Sequence, residues 1–422
     1  MTLLDRARTG VTDEVRFVSD SEGIDAEVIR NLLCKGEIII LQNNSGRAKP
    51  VGVGRMLSTK INVNIGTSTT SSNLEEEVEK AQVGVESGAD TVMDLSTGGD
   101  LDLIRQSIVR AVDVPIGTVP LYQAACKHTS IADISSDEMF NVLRKHCRDG
   151  VDFVTVHAGV NRNSLRELES SNRILGVVSR GGAITVAWML QHDCENPFYS
   201  EFDYLLEILS EYDVVASLGD GMRPGCIHDS SDRPEYMELI TLGELVERCR
   251  RAGVQCLVEG PGHVPLDEIE TSIKTMKYLS KGAPVYLLGP LVTDLAPGYD
   301  HFTAAIGGAI AGIYGADFLC MTTPAEHLAL PISEDIRNGV MVARIAAYAV
   351  DLVKDGQRER ARSMDEEIAR ARRDMDWQRQ LELAIDPDHA HKIHSRSKET
   401  DVCSMCGELC AIKVMDDATK SD

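Results

Sequence analysis

The chain has 422 residues, 43% hydrophobic and 26% charged, which is typical of a globular protein with one large domain and an appendage. Its net charge of −23 excludes a general nucleic-acid or anionic-lipid surface, and 5% aromatic residues are too few for a platform that stacks single strands. We see no signal peptide and no run of roughly 18 apolar residues that could span a membrane. We therefore expect a cytoplasmic protein, in which the 11 cysteines form no structural disulfides.

Residues 1–57 predict a small N-terminal α/β region. Residues 3–21 and 26–35 have helical patterns, and the apolar stretch 37–41 is typical of a strand. From residue 58 the pattern changes to a regular alternation of apolar runs and helical segments.

The alternation over residues 58–331 predicts a catalytic (β/α)₈ barrel, so that the chain as a whole is placed in the α/β class. Nine apolar runs rich in β-branched residues occur, at 61–65, 91–95, 114–121, 153–157, 175–179, 214–218, 254–259, 285–288 and 318–321. Helical patterns lie between most of them, at 73–87, 101–111, 136–148, 202–211 and 242–251. A barrel needs eight strands, and the sequence does not identify the extra run.

Residues 332–392 predict C-terminal helices. The charged patterns at 334–354 and 359–385 indicate an antiparallel helical pair, which Asp386-Pro387 ends. Polar residues follow, and we interpret 393–422 as a linker and a cysteine-rich tail.

Polar residues and glycines follow nearly every apolar run of the predicted barrel. The C-terminal ends of parallel barrel strands meet on one face, where active sites are built, and glycine there lets backbone N–H groups approach phosphate. Ser179-Arg-Gly-Gly182 and Asp220-Gly-Met-Arg223 combine such glycines with a guanidinium. For any one cluster, ordinary turn chemistry is the slightly better explanation, but seven clusters at corresponding strand ends favour a site.

Two histidines, His263 and His327, each follow an apolar run in a rigid Gly/Pro context. Two neutral imidazoles on one face suit a zinc or iron(II) ion with open positions for a substrate. A lone histidine at a strand end is more often a hydrogen-bonded structural residue, so spacing alone leaves both interpretations open.

The tail contains three cysteines in a C-x₂-C-x₃-C arrangement, Cys403, Cys406 and Cys410. Three thiolates can bind three irons of a 4Fe–4S cluster and leave the fourth iron for an external ligand. A zinc knuckle is an equal alternative by spacing, with its fourth ligand drawn from His389, His391 or His394. A cluster predicts an absorbance band and loss of activity in air, whereas a zinc knuckle predicts a stabilising element.

Longer motifs resemble the phosphomethylpyrimidine synthase (ThiC) family over nearly the whole chain. They are Asn62-Val-Asn-Ile-Gly66, Asp90-Thr-Val-Met-Asp-Leu-Ser-Thr-Gly98, Pro115-Ile-Gly-Thr-Val-Pro120, Gly176-Val-Val-Ser-Arg-Gly-Gly182, Ser217-Leu-Gly-Asp-Gly221, Glu259-Gly-Pro-Gly-His-Val-Pro265, Ala296-Pro-Gly-Tyr-Asp-His301 and Cys403-Ser-Met-Cys-Gly407. The resemblance implies a homodimeric (β/α)₈ barrel, a carbon–carbon lyase that rearranges 5-aminoimidazole ribotide with S-adenosylmethionine (SAM) and a 4Fe–4S cluster. It also implies an electron donor such as flavodoxin or ferredoxin, and a tail that reaches over the partner's active site.

The same resemblance implies roles for individual residues. The metal, zinc or iron, would be held by His263 and His327, and the cluster by Cys403, Cys406 and Cys410. Arg180, Arg223 and glycine N–H groups would hold the phosphate through charge-assisted hydrogen bonds. The substrate site as a whole would consist of Asn64, Met93, Tyr122, His157, Ser179, Arg180, Gly181, Asp220, Arg223, Glu259 and Tyr286.

Departures from the family pattern bear on the product. Met321-Thr-Thr-Pro replaces Tyr-Val-Thr-Pro, Phe302 replaces isoleucine after His301, and Met222 replaces leucine. These changes near the strand ends favour the 5-hydroxybenzimidazole synthase (BzaF) branch, which makes the lower ligand of cobalamin in anaerobes. The tail has one residue fewer between its last two cysteines than the C-x₂-C-x₄-C of longer thiamine enzymes, which decides little. The alternative is 4-amino-5-hydroxymethyl-2-methylpyrimidine phosphate for thiamine. A hypothesis of another class is a metal-dependent barrel hydrolase or lyase that uses His263 and His327 and has a zinc-bound tail.

Overall fold

The computed structural model describes residues 1–396 and 402–419. The chain divides into two compact units, Met1–Gly356 and Gln357–Asp422. No helix within the described ranges is long and apolar enough to cross a bilayer.

The first unit begins with a small α/β region. Its helices are α1 (Leu3–Thr9), α2 (Asp13–Glu22) and α3 (Ala26–Lys35), and β1 (Ile38–Leu41) pairs antiparallel with β2 (Val51–Gly54). The single helix expected over 3–21 is two helices, because Gly10 ends α1 and the Thr12 side chain caps α2. Apolar side chains of this region form a hydrophobic cluster of their own, apart from the cluster of the barrel.

The rest of the first unit is a closed parallel barrel of eight strands, in the order β10-β3-β4-β5-β6-β7-β8-β9. The strands are β3 (Lys60–Ile65), β4 (Thr91–Asp94), β5 (Ile116–Thr118), β6 (Phe153–Val156), β7 (Val215–Leu218), β8 (Cys256–Gly260), β9 (Val285–Leu288) and β10 (Phe318–Cys320). The predicted (β/α)₈ architecture is therefore confirmed.

The extra apolar run is the one at 175–179, which forms no strand. Gly176 adopts a left-handed φ of 63°, and Ser179 accepts a hydrogen bond from Gly182 N at 3.1 Å as the N-cap of the helix that follows. The run therefore leads into a helix instead of pairing with the sheet.

The helices that surround the barrel are α4 (Leu74–Glu86), α5 (Leu101–Ala111), α6 (Pro120–Cys126), α7 (Ser136–Arg148), α8 (Arg162–Glu169), α9 (Arg180–His192), α10 (Pro197–Ser200), α11 (Phe202–Tyr212), α12 (Arg233–Ala252), α13 (Ile269–Leu279), α14 (Asp300–Tyr314) and α15 (Ser333–Asp351). Helix α15 follows the eighth strand and packs on α14, α4 and β3.

Aromatic rings fill the barrel interior below the strand ends. The ring of Phe318 packs on those of Phe153 and Tyr286, with centroid separations of 6.4 and 4.4 Å. Asn62 on β3 connects β9 and β4, since its Nδ2 donates to Tyr286 Oη at 2.8 Å and its Oδ1 accepts from Thr91 Oγ1 at 2.7 Å. This packed interior forms a rigid floor for whatever binds at the strand ends.

The second unit contains α16 (Arg358–Arg373), α17 (Trp377–Glu382), α18 (Pro387–His394) and α19 (Ala411–Thr419). The helix expected over 359–385 is interrupted at Met375, whose φ is 57°, and Asp376 caps α17. The last of these helices before Asp386-Pro387, α17, already ends at Glu382, and Asp386-Pro387 instead begins α18, because Asp386 accepts from His389 N at 3.0 Å. Residues 397–401 of the predicted linker lie outside the described residues.

Candidate active site

A cavity of about 490 Å³ opens at the C-terminal ends of the barrel strands. Eight of the residues expected to bind substrate line it: Asn64, Met93, Tyr122, His157, Asp220, Arg223, Glu259 and Tyr286. The other three, Ser179, Arg180 and Gly181, belong to the segment that begins α9. The structure thus brings together residues from strands and loops that are up to 222 positions apart in the sequence.

The Asp220–Arg223 turn supplies an ion pair at the cavity wall, with Arg223 Nη1 2.8 Å from Asp220 Oδ1. Burial raises the pKa of Asp220 to about 7, against the lowering effect of the Arg223 guanidinium. Burial lowers the pKa of Arg223, but Asp220, Tyr122 and Glu259 together outweigh it, so the net shift is upward. Arg223 therefore stays cationic, whereas Asp220 can exchange a proton near neutral pH.

His157 lies between the cavity and the start of α9. Its Nε2 is 3.1 Å from Ser179 Oγ, and its Nδ1 is buried without a hydrogen-bond partner among the described residues. Gly181 packs against the same ring, where an added Cβ would lie 2.1 Å from His157 Cε1. Burial lowers the pKa of His157 to about 3, so the ring is neutral at physiological pH.

Arg180 connects the first cavity with a second. Its Cζ lies 4.9 Å from the centroid of the Tyr122 ring, a cation–π geometry. The second cavity, about 750 Å³, shares Asn64 and Leu95 with the first and is also lined by Arg180 and His327. Two ligands could therefore bind side by side at the mouth of the barrel.

Glu259, at the end of β8, is the second carboxylate that lines the first cavity. Its Oε1 accepts hydrogen bonds from Thr155 Oγ1 at 2.7 Å and from Ser217 Oγ at 2.5 Å. Burial raises its pKa. Thr155 was not predicted from the sequence, although it lies on the same strand face as His157, two residues away.

Sequence reasoning also missed Cys320, the last residue of β10, which lines the first cavity. It is 4% exposed, and burial raises the pKa of its thiol to about 12. The alternation of inward-facing positions, which places Phe318 and Cys320 on one face, was the signal that could have identified it.

The two predicted metal ligands lie near each other, with His263 and His327 ring centroids 5.5 Å apart. Nδ1 of His263 is 2.8 Å from Asp294 Oδ1, and Nδ1 of His327 is 3.3 Å from Asp300 Oδ2. Carboxylates on Nδ1 orient imidazoles so that Nε2 is available to a metal. Asp294 and Asp300 were not predicted, and carboxylates within reach of a histidine cannot be identified by spacing.

The tail presents its three thiols on a short segment around the turn Gly407–Leu409. Backbone N–H groups of Cys406 and Met405 lower the pKa of Cys403, which favours the thiolate that a metal requires. Within residues 1–396 and 402–419, however, no three side chains of His, Cys, Asp or Glu are already grouped to hold one metal ion. The donor set suits an iron–sulfur cluster, and cluster binding requires the thiols to converge.

Comparison with known proteins gives consistent matches over the full length. Residues 2–417 match the Radical SAM ThiC family. The chain is 60% identical over 420 residues to phosphomethylpyrimidine synthase 1 of Methanosarcina mazei, covering 99% of this chain and 98% of the relative. It is 58% identical over 425 residues to phosphomethylpyrimidine synthase of Archaeoglobus fulgidus, covering 100% of both chains. A solved dihydropteroate synthase from Coxiella burnetii matches with a TM-score of 0.43 and 13% identity over 74% of this chain and 99% of that one, too little to carry an argument.

Proposed function

Because this chain belongs to the radical SAM ThiC family, we propose that it is a phosphomethylpyrimidine synthase, which converts 5-aminoimidazole ribotide to 4-amino-5-hydroxymethyl-2-methylpyrimidine phosphate. The observation that carries the proposal is the cavity at the strand ends, where Arg223, Asp220 and Glu259 face one another. It combines a cation for a phosphate with carboxylates for ribose hydroxyls or an amine. Relatives that are 60% and 58% identical carry the pyrimidine synthase name.

The pyrimidine product replaces the benzimidazole interpretation favoured by the sequence alone. Of the three substitutions behind that interpretation, Met222 is fully buried and Phe302 is 51% exposed on α14. Neither lines the first cavity. Met321 lines the second cavity, so it does not reshape the proposed ribotide site. In choosing between the two products, the high identity to relatives named phosphomethylpyrimidine synthase therefore outweighs these three substitutions.

We propose that Cys403, Cys406 and Cys410 hold a 4Fe–4S cluster. Three thiols within eight residues, one of them with a lowered pKa, are the donor set that such a cluster uses when one iron stays open to SAM. When bound, the cluster and SAM supply the radical that abstracts hydrogen from the ribotide. Family membership favours this chemistry over the metal-dependent hydrolase hypothesis.

The residues of the barrel would bind and orient the ribotide. Arg223 and Arg180 would contact its phosphate, since guanidinium groups form charge-assisted hydrogen bonds with phosphate oxygens. His157 would donate from Nδ1, the buried atom that lacks a partner within the described residues. Glu259 would accept from a hydroxyl or amine through Oε2, because Thr155 and Ser217 already donate to Oε1. Such contacts exclude water around a reactive carbon.

The second cavity would hold SAM, because it adjoins the first cavity and includes His327. We propose that His263 and His327 bind zinc or iron(II), with the remaining positions filled by ligand or water. The carboxylates of Asp294 and Asp300 on the two Nδ1 atoms support this assignment.

Anaerobic turnover tests the proposal. Reconstituted protein is incubated with 5-aminoimidazole ribotide, SAM and dithionite or reduced flavodoxin, and the products are separated by mass. We expect the pyrimidine phosphate and 5′-deoxyadenosine. Release of 5-hydroxybenzimidazole would establish the other branch, and turnover without SAM would contradict radical chemistry. The same preparation, analysed by light scattering, tests the expected homodimer.

A further inference from the structure

The backbone of the Asp220–Arg223 turn is held by a carboxylate from outside the cavity. Glu238, on α12, accepts from Gly221 N at 2.9 Å through Oε1 and from Met222 N at 2.7 Å through Oε2. The turn itself is closed by a hydrogen bond from Arg223 N to Asp220 O at 3.1 Å. The two backbone N–H groups between Asp220 and Arg223 therefore both donate to the Glu238 side chain. Glu238 is only 2% exposed.

A guanidinium holds the carbonyl side of the same turn. Arg173 Nη2 donates to Met222 O at 2.5 Å, and its Nη1 lies 3.4 Å from Arg223 O. The Arg173 side chain is 2% exposed and is anchored by Asp232, with Nε 2.7 Å from Oδ2 and Nη2 2.8 Å from Oδ1. The N–H groups of the turn thus face a carboxylate and its carbonyls face a guanidinium.

The turn has little freedom to move between these groups. A Cβ on Gly221 would lie 2.2 Å from Val160 Cγ2, and a Cβ on Gly182 would lie 2.2 Å from Gly221 O. Arg173 Nη1 also donates to Gly176 O at 3.0 Å, in the segment that leads to Ser179 and Arg180. Arg173 therefore donates hydrogen bonds to both segments that carry candidate phosphate ligands, the Asp220–Arg223 turn and the segment before Arg180.

The burial of Glu238 depends on the turn that donates hydrogen bonds to it. A carboxylate that is buried without a cationic partner in contact destabilises a protein unless hydrogen bonds compensate. Burial raises the pKa of Glu238 well above its usual value, and the two N–H groups of the turn, which donate to it, act against that shift. Its neighbour on the helix, Glu235, is also buried but binds Ser231 N at 2.9 Å, away from the cavity.

We infer that Glu238 and Arg173 are positioning residues, which hold the Asp220–Arg223 turn ready for the phosphorylated end of the substrate. The inference rests on the proposed function, because it takes the ribotide as the ligand of the turn. Neither residue touches the cavity, so each acts through the backbone of Asp220 and Arg223.

Glu238→Gln tests the inference, because an amide keeps the shape but turns an NH₂ group toward one of the two backbone N–H groups. Dissociation constants of the ribotide and of SAM are measured for the anaerobic holoenzyme by equilibrium dialysis. We expect the ribotide to bind about 10-fold more weakly, the effect of one unsatisfied buried donor, and SAM to bind as in the wild type. The matched control is Glu235→Gln, which should leave both constants unchanged.

Two results would overturn the inference: wild-type ribotide affinity in folded Glu238→Gln, or equal weakening in Glu235→Gln. A wild-type protein that does not bind the ribotide would instead overturn the proposed function, and this inference with it. If Glu238→Gln does not fold, Arg173→Lys tests the carbonyl side of the turn. Lysine keeps the charge but lacks the fork of donors, so it should also weaken ribotide binding while SAM affinity stays constant.

Discussion

Ser179 Oγ lies 3.1 Å from Nε2 of His157, and it also accepts a hydrogen bond from Gly182 N at 3.1 Å. Because Gly182 supplies a proton to Oγ, the hydroxyl proton is free to point at Nε2. A neutral imidazole that accepts at Nε2 carries its proton on Nδ1. With the Ser179 hydroxyl donating to Nε2, the cap of α9 favours the tautomer of His157 that carries its proton on Nδ1, which is then a donor for a ligand.

Replacing Ser179 by Ala should remove both functions of the hydroxyl. We expect a loss of about 1 kcal/mol in stability from the missing cap and about 10-fold weaker ribotide binding from the freed tautomer. Calorimetric unfolding and equilibrium dialysis measure the two effects. Ser135→Ala removes the cap of α7, where Oγ accepts from Glu138 N at 3.2 Å, and should change stability alone. Equal ribotide binding in both variants would show that the hydroxyl is only a cap.

The close approach of Gly181 to His157 predicts that even one methyl group is not tolerated. In Gly181→Ala the Cβ would lie 2.1 Å from His157 Cε1, so the ring must move out of its position. We expect pyrimidine formation to fall at least 10-fold, as small displacements of positioned groups cost this much. Gly10→Ala is the control, because no atom lies within 4 Å of that site. Unchanged turnover in Gly181→Ala would mean that His157 has no role in binding.

The contact between Asp294 and His263 predicts an effect on metal affinity. Asp294→Ala removes the acceptor at Nδ1, and loss of such a partner weakens metal binding by about 10- to 100-fold. Competition with a chromophoric zinc chelator gives the affinity without turnover. Asp267→Ala, an exposed carboxylate four residues after His263, should bind zinc like the wild type. If Asp294→Ala also binds zinc normally, the two histidines do not form the site.

The tail cysteines should be needed for the visible absorbance band and for SAM cleavage. Cys406→Ala leaves two of the three thiolates, which should abolish the band and reduce 5′-deoxyadenosine formation to background. Cys126→Ala, which also removes an exposed thiol, is the control and should retain both. A Cys406→Ala protein that keeps its activity would support the zinc-bound tail instead.

The raised pKa of Glu235 predicts that the stability of the protein depends on pH. Burial raises its pKa to about 8, above the value in the unfolded chain, so the folded state keeps a proton that the unfolded state releases. Unfolding free energy should therefore fall as pH rises from about 4.5 to about 8, by at most about 1.4 kcal/mol per pH unit. Glu235→Gln should flatten this fall in thermal melts at pH 6 and pH 9. Glu244→Gln, on the exposed face of the same helix, should leave it unchanged.

Much of the molecule followed from the sequence. Apolar runs between helical patterns are a local signal, so each of the eight strands overlaps one of the nine predicted runs. Polar residues at those ends converge because parallel strands in a barrel all finish on one face. For that reason Asn64, His157 and Glu259, far apart in the chain, were expected together and line one cavity.

Other features depend on contacts between distant segments and were decided only by the tertiary structure. The run at 175–179 has the composition of a strand, but the cap at Ser179 directs it into α9. Asp294 orients His263 from 31 positions away, and Glu238 reaches the Asp220–Arg223 turn from the next helix. The raised pKa of Asp220 results from its burial, and burial depends on contacts that no local sequence pattern encodes. Spacing in sequence determines which residues reach the strand ends, whereas packing determines what holds them and which protons they carry.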